Sequence, residues 1–269
     1  PLIINFDGVK VGILSYTYGT NAFSNNYYLN QKNKHIVNLF QNQELSNKIT
    51  RYCYFNRKSI FARIYNKIMR KIFPENSKCQ VYERKEFDYI CKRKLVKNIK
   101  NIKKTGANII VMLMHMGGQY NSKPSKNTRE LSKFLIKKGI NIVVGNHEHV
   151  VHGGEFDKIE NQKLIAYSLG NFNGIDGVYI EPFDKMSEYS IAWNIYIDEK
   201  SKINKTTFSV LKTISVGDNK LKTVLLYDLI EKAKDEKEKE KLIKDMFEIA
   251  YRFSNIRYKE ISKEFEIKK

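Results

Sequence analysis

The sequence predicts an α/β fold in which a parallel βαβ unit is followed by an antiparallel sheet. Two short apolar runs, Ile109–Met114 and Ile140–Val144, have the size of buried parallel strands, and a helical stretch lies between them. Another helical stretch leads into the first run, so helix, strand, helix and strand follow at the spacing of a right-handed βαβ unit. After Leu164 the pattern turns to short strands with polar links, and Ile191, Trp193, Ile195 and Ile197 alternate as a half-buried antiparallel strand requires.

In chain order, Lys10–Thr17 is a buried strand preceded by a turn at Asp7-Gly8, and it runs into the loop Tyr18-Gly19-Thr20-Asn21. Residues 22–50, rich in Asn, Gln and Tyr, read as an irregular excursion with a short strand at His35–Phe40. Ile60, Ile64, Ile68 and Ile72 recur at every fourth position, which gives a basic amphipathic helix ending near Pro74. Such a helix packs on its own domain or sits on a membrane or an acidic partner. Lys92–Lys104 places Leu95, Ile99 and Ile102 on one helix face, and Gly106 closes it. The next helix is expected from Thr128 to Lys138, capped by Asn127 with Glu130 three residues on and stopped by Gly139. Its inner face is Leu131, Phe134 and Leu135. The antiparallel portion is expected to comprise Leu164–Ser168, Val178–Ile180, Tyr189–Ile197, Thr206–Ile214 and Leu221–Leu226. Residues 229–269 read as helical, with Leu242, Met246, Ile249 and Phe253 as the apolar stripe.

With 269 residues, 42% hydrophobic, the chain can bury a full core, and it has neither a transmembrane-length apolar run nor a signal-peptide pattern. It starts at Pro1 and enters a strand almost at once, which reads as a cut through a domain. The formal charge of +19 is carried mostly by lysine spread over helices. Without an Arg-rich patch or a binding motif, it does not point to specific nucleic-acid binding. Cys53, Cys79 and Cys91 have no CxxC spacing, so a disulfide framework or a cysteine zinc site is not expected.

Four of the five histidines lie between Ile109 and Phe172. His115 ends one apolar run, and Gly145-Asn146-His147-Glu148-His149 follows the other. The carboxyl edge of an open α/β sheet is where ligands and catalytic groups collect. Alternate residues of an extended segment point the same way, so His147 and His149 can share a metal centre with His115 on the neighbouring strand. Neutral imidazoles suit zinc, iron, manganese or nickel, and the other reading is that all three are polar loop residues. His152 reads as exposed or as a support behind the ligands, His35 as incidental, and Asp176 as a turn former.

Three ordered motifs give these residues a resemblance. His115-Met116-Gly117-Gly118-Gln119-Tyr120, Gly145-Asn146-His147-Glu148-His149-Val150 and Tyr167-Ser168-Leu169-Gly170-Asn171-Phe172 resemble the signature of the CapA family. These are bacterial capsule or poly-γ-glutamate synthesis proteins of the calcineurin-like metallophosphatase superfamily. Ser15-Tyr16-Thr17-Tyr18-Gly19-Thr20-Asn21 is similar to a segment many members carry upstream. The resemblance covers residues 1 to about 197. It implies a metallophosphatase-like four-layer α/β/β/α sandwich of two mixed sheets between helices, with the N-terminal strands of the domain missing. It implies metal-binding roles for His115, His147 and His149. Asn171, Gln119 and Tyr120 would position substrate or hold the loop. The implied cofactors are divalent metal ions of Mn, Fe or Zn type, two in the complete domain.

Met116 stands where the family has an aromatic, Gln119 where it has a carboxylate, and Glu148 where it has proline. The family's opening Gly-Asp and Asn-Asn-His motifs are not found, and Asn25-Asn26-Tyr27 lacks the histidine. A two-metal centre needs a bridging carboxylate to hold its cations together. The expectation is therefore an incomplete metallophosphatase-type site, little hydrolysis from this chain alone, and an open edge at the first strand. The expected organisation is residues 1–215 as the C-terminal part of a CapA-like domain, with a basic helical insertion at about 51–90, and 216–269 as a strand plus Lys/Glu-rich helical extension. The leading function is surface-polymer production, with an anionic polymer or phosphoester as substrate and membrane-bound polymer-synthesis proteins as partners. The alternatives are a non-catalytic assembly or anionic-polymer-binding component and a soluble metal-dependent phosphoesterase. The expected location is the cell surface or membrane, with the cytoplasm as alternative.

Overall fold

The computed structural model describes residues 1–20, 29, 32–33, 35–40, 89–158, 162–174, 186–217 and 220–268. The expected helix around Ile60–Ile72, the strand Val178–Ile180, Cys53, Cys79 and Asp176 lie outside the described residues. β1 (Leu2–Phe6) and β2 (Val9–Thr17) form a hairpin whose turn residues, Asp7 and Gly8, both take positive φ. After α1 (Tyr89–Lys104) come β3 (Ile109–His115), α2 (Lys126–Lys138), β4 (Ile142–Asn146), β5 (Gly154–Lys158) and β6 (Lys163–Ala166). These strands form a six-stranded sheet in the order β1-β2-β3-β4-β6-β5, in which β2, β3, β4 and β6 are parallel. β1 is an edge strand with Leu2, Ile3 and Phe6 exposed.

β7 (Tyr189–Ile197), β8 (Ile203–Ser215) and β9 (Leu221–Leu225) begin a second, antiparallel sheet. α3 (Leu226–Lys232) and α4 (Glu236–Ser254) follow, and β10 (Phe265–Glu266) returns to pair with β8. The result is a mixed α/β fold consistent with the metallophosphatase-like sandwich. Two cores hold it. On one face of the six-stranded sheet, Leu14, Met112 and Val143 pack against Leu95, Ile99 and Ile102 of α1 and Leu131 and Leu135 of α2. The other face presents Val11, Ile109, Ile142 and Leu164 to Ile191, Phe208 and Val210 of the second sheet, and Met246, Ile249 and Phe253 of α4 complete that core. Tyr189 donates to Asp245 Oδ2 at 2.6 Å, tying α4 to β7.

Several expectations are corrected. α2 starts earlier than predicted, and its cap is Ser125, whose Oγ accepts from the Thr128 N–H at 3.1 Å. Gly139 does supply the left-handed stop, at φ 99°. The strand near Leu164 is not part of the antiparallel sheet. It is β6, and Leu164, Ile165 and Ala166 are all buried, as an inner strand covered on both faces requires. β5, with a glycine at its start and polar residues along it, gave no strand signal. Among the described residues His35–Phe40 makes one bridge, Leu39 to Thr17, and Phe40 is buried against Tyr16. The C-terminal helical pattern ends at Ser254, because Asn255 turns left-handed at φ 59°.

Phe253 touches Phe156, Trp193 and Phe208, so it joins α4 to both sheets. Phe253→Ala is expected to cost about 3–5 kcal/mol, read as a lowered denaturation midpoint. A loss below about 1 kcal/mol would mean that α4 is not integral to the core.

Candidate functional site

The site is set by strand register. Thr17 of β2, His115 of β3 and Asn146 of β4 align across the carboxyl edge of the parallel strands. The alignment extends one step further, since the Tyr18 N–H donates to the His115 carbonyl and the Met116 N–H to the Asn146 carbonyl, both at 3.0 Å. The three loops therefore leave the sheet together, and their first side chains meet. The ring centroids of His115 and His147 are 4.5 Å apart, those of His147 and His149 6.1 Å. Tyr18 lies 4.7 Å from His147 and stacks on His115 at 6.2 Å.

The predicted His-x-His pair is brought together by a different local geometry. His147 and His149 both take positive φ, 115° and 62°, in a tight turn after β4 and not on an extended segment. Asn146 opens that turn by accepting the His147 N–H on Oδ1 at 2.9 Å. Backbone strain of this kind in non-glycine residues concentrates at functional sites. His149 is oriented from two sides. Its Nδ1–H donates to Asn171 Oδ1 at 2.8 Å, and the Gln119 amide lies 3.4 Å from Nε2. Tyr120 stacks on its ring at 5.1 Å. Asn171 is placed by the bridges Val151–Leu169 and Gly170–Ser190, which fasten its loop to both sheets. The structure thus gathers all six predicted residues, His115, His147, His149, Asn171, Gln119 and Tyr120, around one edge. His35 stays apart and exposed.

Two features were missed. Tyr18 was read only as part of a loop, although its position after the strand beside His115 was the available signal. His152 is not exposed: it is fully buried, donates from Nε2 to the Asn121 carbonyl at 2.6 Å, and faces Glu148 Oε1 with Nδ1 at 3.5 Å. Glu148, the residue standing where the family has proline, is fully buried too. Its carboxylate turns under the loop, where a Cβ at Gly117 would lie 2.0 Å from Oε1. Gly117, at φ 127°, is needed for both space and backbone geometry. With Nε2–H given to Asn121, the Glu148–His152 contact needs a proton on Nδ1 or on the carboxyl.

Burial favours the neutral forms of two of these histidines. Burial, then the neighbouring His115 and His149, lowers the His147 pKa to about 3. Burial and His149 also hold His115 below its usual value. Neutral imidazoles with free lone pairs are the protonation state a metal takes. Among the described residues, however, no three His, Cys, Asp or Glu side chains converge into a metal cage. Glu148, the nearest acid in sequence, has its carboxylate against His152 and under Gly117. The imidazoles are nitrogen donors, and the described residues assemble neither a three-ligand cage nor a carboxylate-bridged pair.

The fold and this histidine edge define an α/β protein of metallophosphatase-like architecture. A family model described as bacterial capsule synthesis protein PGA_cap matches residues 1–174, and the chain belongs to that family. It is 39% identical over 79 residues to the capsule biosynthesis protein CapA of Bacillus anthracis, covering 29% of this chain and 18% of that protein. It is 38% identical over 69 residues to the PGA biosynthesis protein CapA of Bacillus subtilis (strain 168), covering 26% of this chain and 17% of that one. The matched stretch thus spans less than a fifth of either relative.

Because folded His147 sits near 3 and a free histidine near 6.5, the folded chain binds fewer protons than the unfolded chain between those values. Stability is full above about pH 6.5 and falls on acidification through that window, by up to about 1.4 kcal/mol per pH unit for this group. Denaturant titrations in chelator from neutral pH to about pH 4 are expected to show this slope, and His147→Gln to flatten it. Parallel slopes for the two proteins would refute the assignment.

Proposed function

We propose that this chain serves the production of a capsule-type anionic surface polymer, poly-γ-glutamate or a chemically similar chain, through a metallophosphatase-type site at His115, His147 and His149. The observation that supports this reading is the clustering of the His115, His147 and His149 rings, with Asn171 bonded to His149, at the carboxyl edge of the parallel strands, on motifs of the PGA_cap family. A divalent cation of Mn, Fe or Zn type bound there would supply Lewis acidity toward a phosphoester or carboxylate oxygen. The chain's own residues have separate tasks. Asn171 fixes the His149 tautomer with its proton on Nδ1, leaving the Nε2 lone pair available in exchange for the Gln119 contact. Tyr18 walls His115 and His147, and Tyr120 walls His149. A second cation and its bridge would need donors beyond the described residues.

The location that goes with this function is the cell surface or membrane, beside membrane-bound polymer-synthesis proteins. Among the described residues no helix is long and apolar enough to cross a membrane. The non-catalytic reading, in which the fold binds polymer or assembles partner proteins, is favoured by one observation. Among the described residues no group of three His, Cys, Asp or Glu side chains could hold a metal ion.

Two measurements separate these readings. His115→Ala and His147→Ala in the full-length protein are expected to abolish polymer production, and unchanged production would overturn the catalytic proposal. Metal titration by calorimetry is expected to show binding that Asn171→Ala weakens about 10–100-fold, the usual effect of losing a ligand's hydrogen-bond partner. Equal affinity in the variant, or no binding of Mn²⁺, Fe²⁺ or Zn²⁺ by either protein, would remove the metal assignment.

A further inference from the structure

The chain's positive charge is not evenly spread. α1 carries seven cations and no acid, and α2 carries five cations and one acid. α4, equally rich in charge, has five cations and five acids. Twelve cations against one acid therefore lie on the two helices covering one face of the six-stranded sheet, which accounts for +11 of the formal +19. Lysine abundance alone does not produce that contrast between helices.

Between α1 and α2 runs an open groove of about 500 Å³, lined by Lys92, Arg93, Lys97, Lys100 and Lys138 around Phe134. Lys92 Nζ lies 4.9 Å and Lys138 Nζ 5.5 Å from the Phe134 ring centroid. Among the described residues no acid forms an ion pair with Lys92, Lys97, Lys100 or Lys138. Like charges one turn apart, about 5.4 Å along the axis, destabilise a helix unless anions screen them. The groove also has a direction. Ile102 packs under Gly12, and Asn98 donates to the Tyr16 hydroxyl at 2.7 Å, so α1 runs back along β2. Its first turns, with Lys92 and Arg93, lie toward the sheet edge that carries His115.

We propose that the α1–α2 groove binds a flexible polycarboxylate chain, which it leads toward the histidine edge. The proposal rests on the polymer function above and assigns that polymer's binding surface. Charges borne singly along the ligand match lysines used as point charges, whereas phosphodiester recognition favours the bidentate fork of arginine. A membrane is the poorer fit. Surface-binding helices insert exposed apolar side chains, and among the residues whose burial is described none of the exposed large hydrophobics lies on α1 or α2. Single-stranded nucleic acid would need exposed aromatic platforms, and Phe134 is half-buried beneath lysines.

The test is fluorescence anisotropy with labelled poly-γ-glutamate of defined length and the full-length protein, without metal, across a salt series. The groove variant is Lys92→Glu/Lys97→Glu/Lys100→Glu. The control, Lys237→Glu/Lys241→Glu/Lys244→Glu on α4, changes the net charge equally. The groove variant is expected to weaken binding at least about tenfold with a shallower salt dependence, and the control to bind within about threefold of the parent. A Gln triple at the groove positions gives a smaller loss in the same direction and guards against a folding effect. Equal losses in groove and control variants would reduce the effect to net charge and overturn the proposal. So would tighter binding of single-stranded DNA, or of vesicles of equal parts phosphatidylglycerol and phosphatidylcholine, lost in the groove variant. His115→Ala/His147→Ala is expected to bind the polymer normally. Failure of the histidine chemistry therefore shows in polymer production, and failure of the groove shows in binding.

Discussion

Three parallel strands that end in step are the constraint from which the site follows. In the pairing of Thr17, His115 and Asn146, a shift of one residue in any strand would turn a side chain from the edge into the core or to the opposite face. Register here is held by burial on both faces. Met112 and Met114 face α1 and α2, while Ile109 and Val111 face the second sheet. The same alternation that fills two cores leaves His115 at the strand end, and the two ladder bonds beyond it carry Tyr18 and the β4 loop into place.

Holding the loops costs conformational energy. Tyr120, His147 and His149 all take positive φ, at roughly 1–3 kcal/mol for a strained residue in general. Compensation lies directly beneath them. The Tyr120 N–H donates to the Glu148 carbonyl at 2.7 Å, the His152 N–H to the Ser168 carbonyl at 3.0 Å, and the His152 ring to the Asn121 carbonyl. Glu148 and His152 join the loop after β3 to the loop after β4 from inside. A proline at position 148 would have no carboxylate to offer, so this chain secures the turn by a buried polar contact instead.

The strands and helices that line the sheet were legible because their signals are local: Leu95, Ile99 and Ile102 repeat at helical spacing, and Ile109–Met114 is uniformly apolar. β6 was legible as a strand but not in its sheet, since a short apolar run names its burial and not its neighbour. The Ser125 cap competed with Asn127, and only the three-dimensional path of Pro124-Ser125 decided between them. At the site, residue types could be read from the motifs, whereas the inward turn of Glu148 needs the space left by Gly117, which is distant from it in the sequence. Tyr18 became visible as a wall only once the β2–β3 register was known.

The molecule separates charge from chemistry. At the histidine edge, burial and close imidazole neighbours favour the neutral forms of His115 and His147. Such a cluster exerts no long-range pull on an anion. The lysines of α1 and α2 do, since clustered like charge at a surface raises the local concentration of an opposite polyelectrolyte. These lysines stand on the outer side of the helices whose inner sides pack under β2, β3 and β4. One pair of helices thus fixes the strands that aim the histidines and carries the field that would draw a polyanion to them. A polymer held along the groove needs no charge at the site itself, which leaves the imidazole lone pairs uncompensated and available.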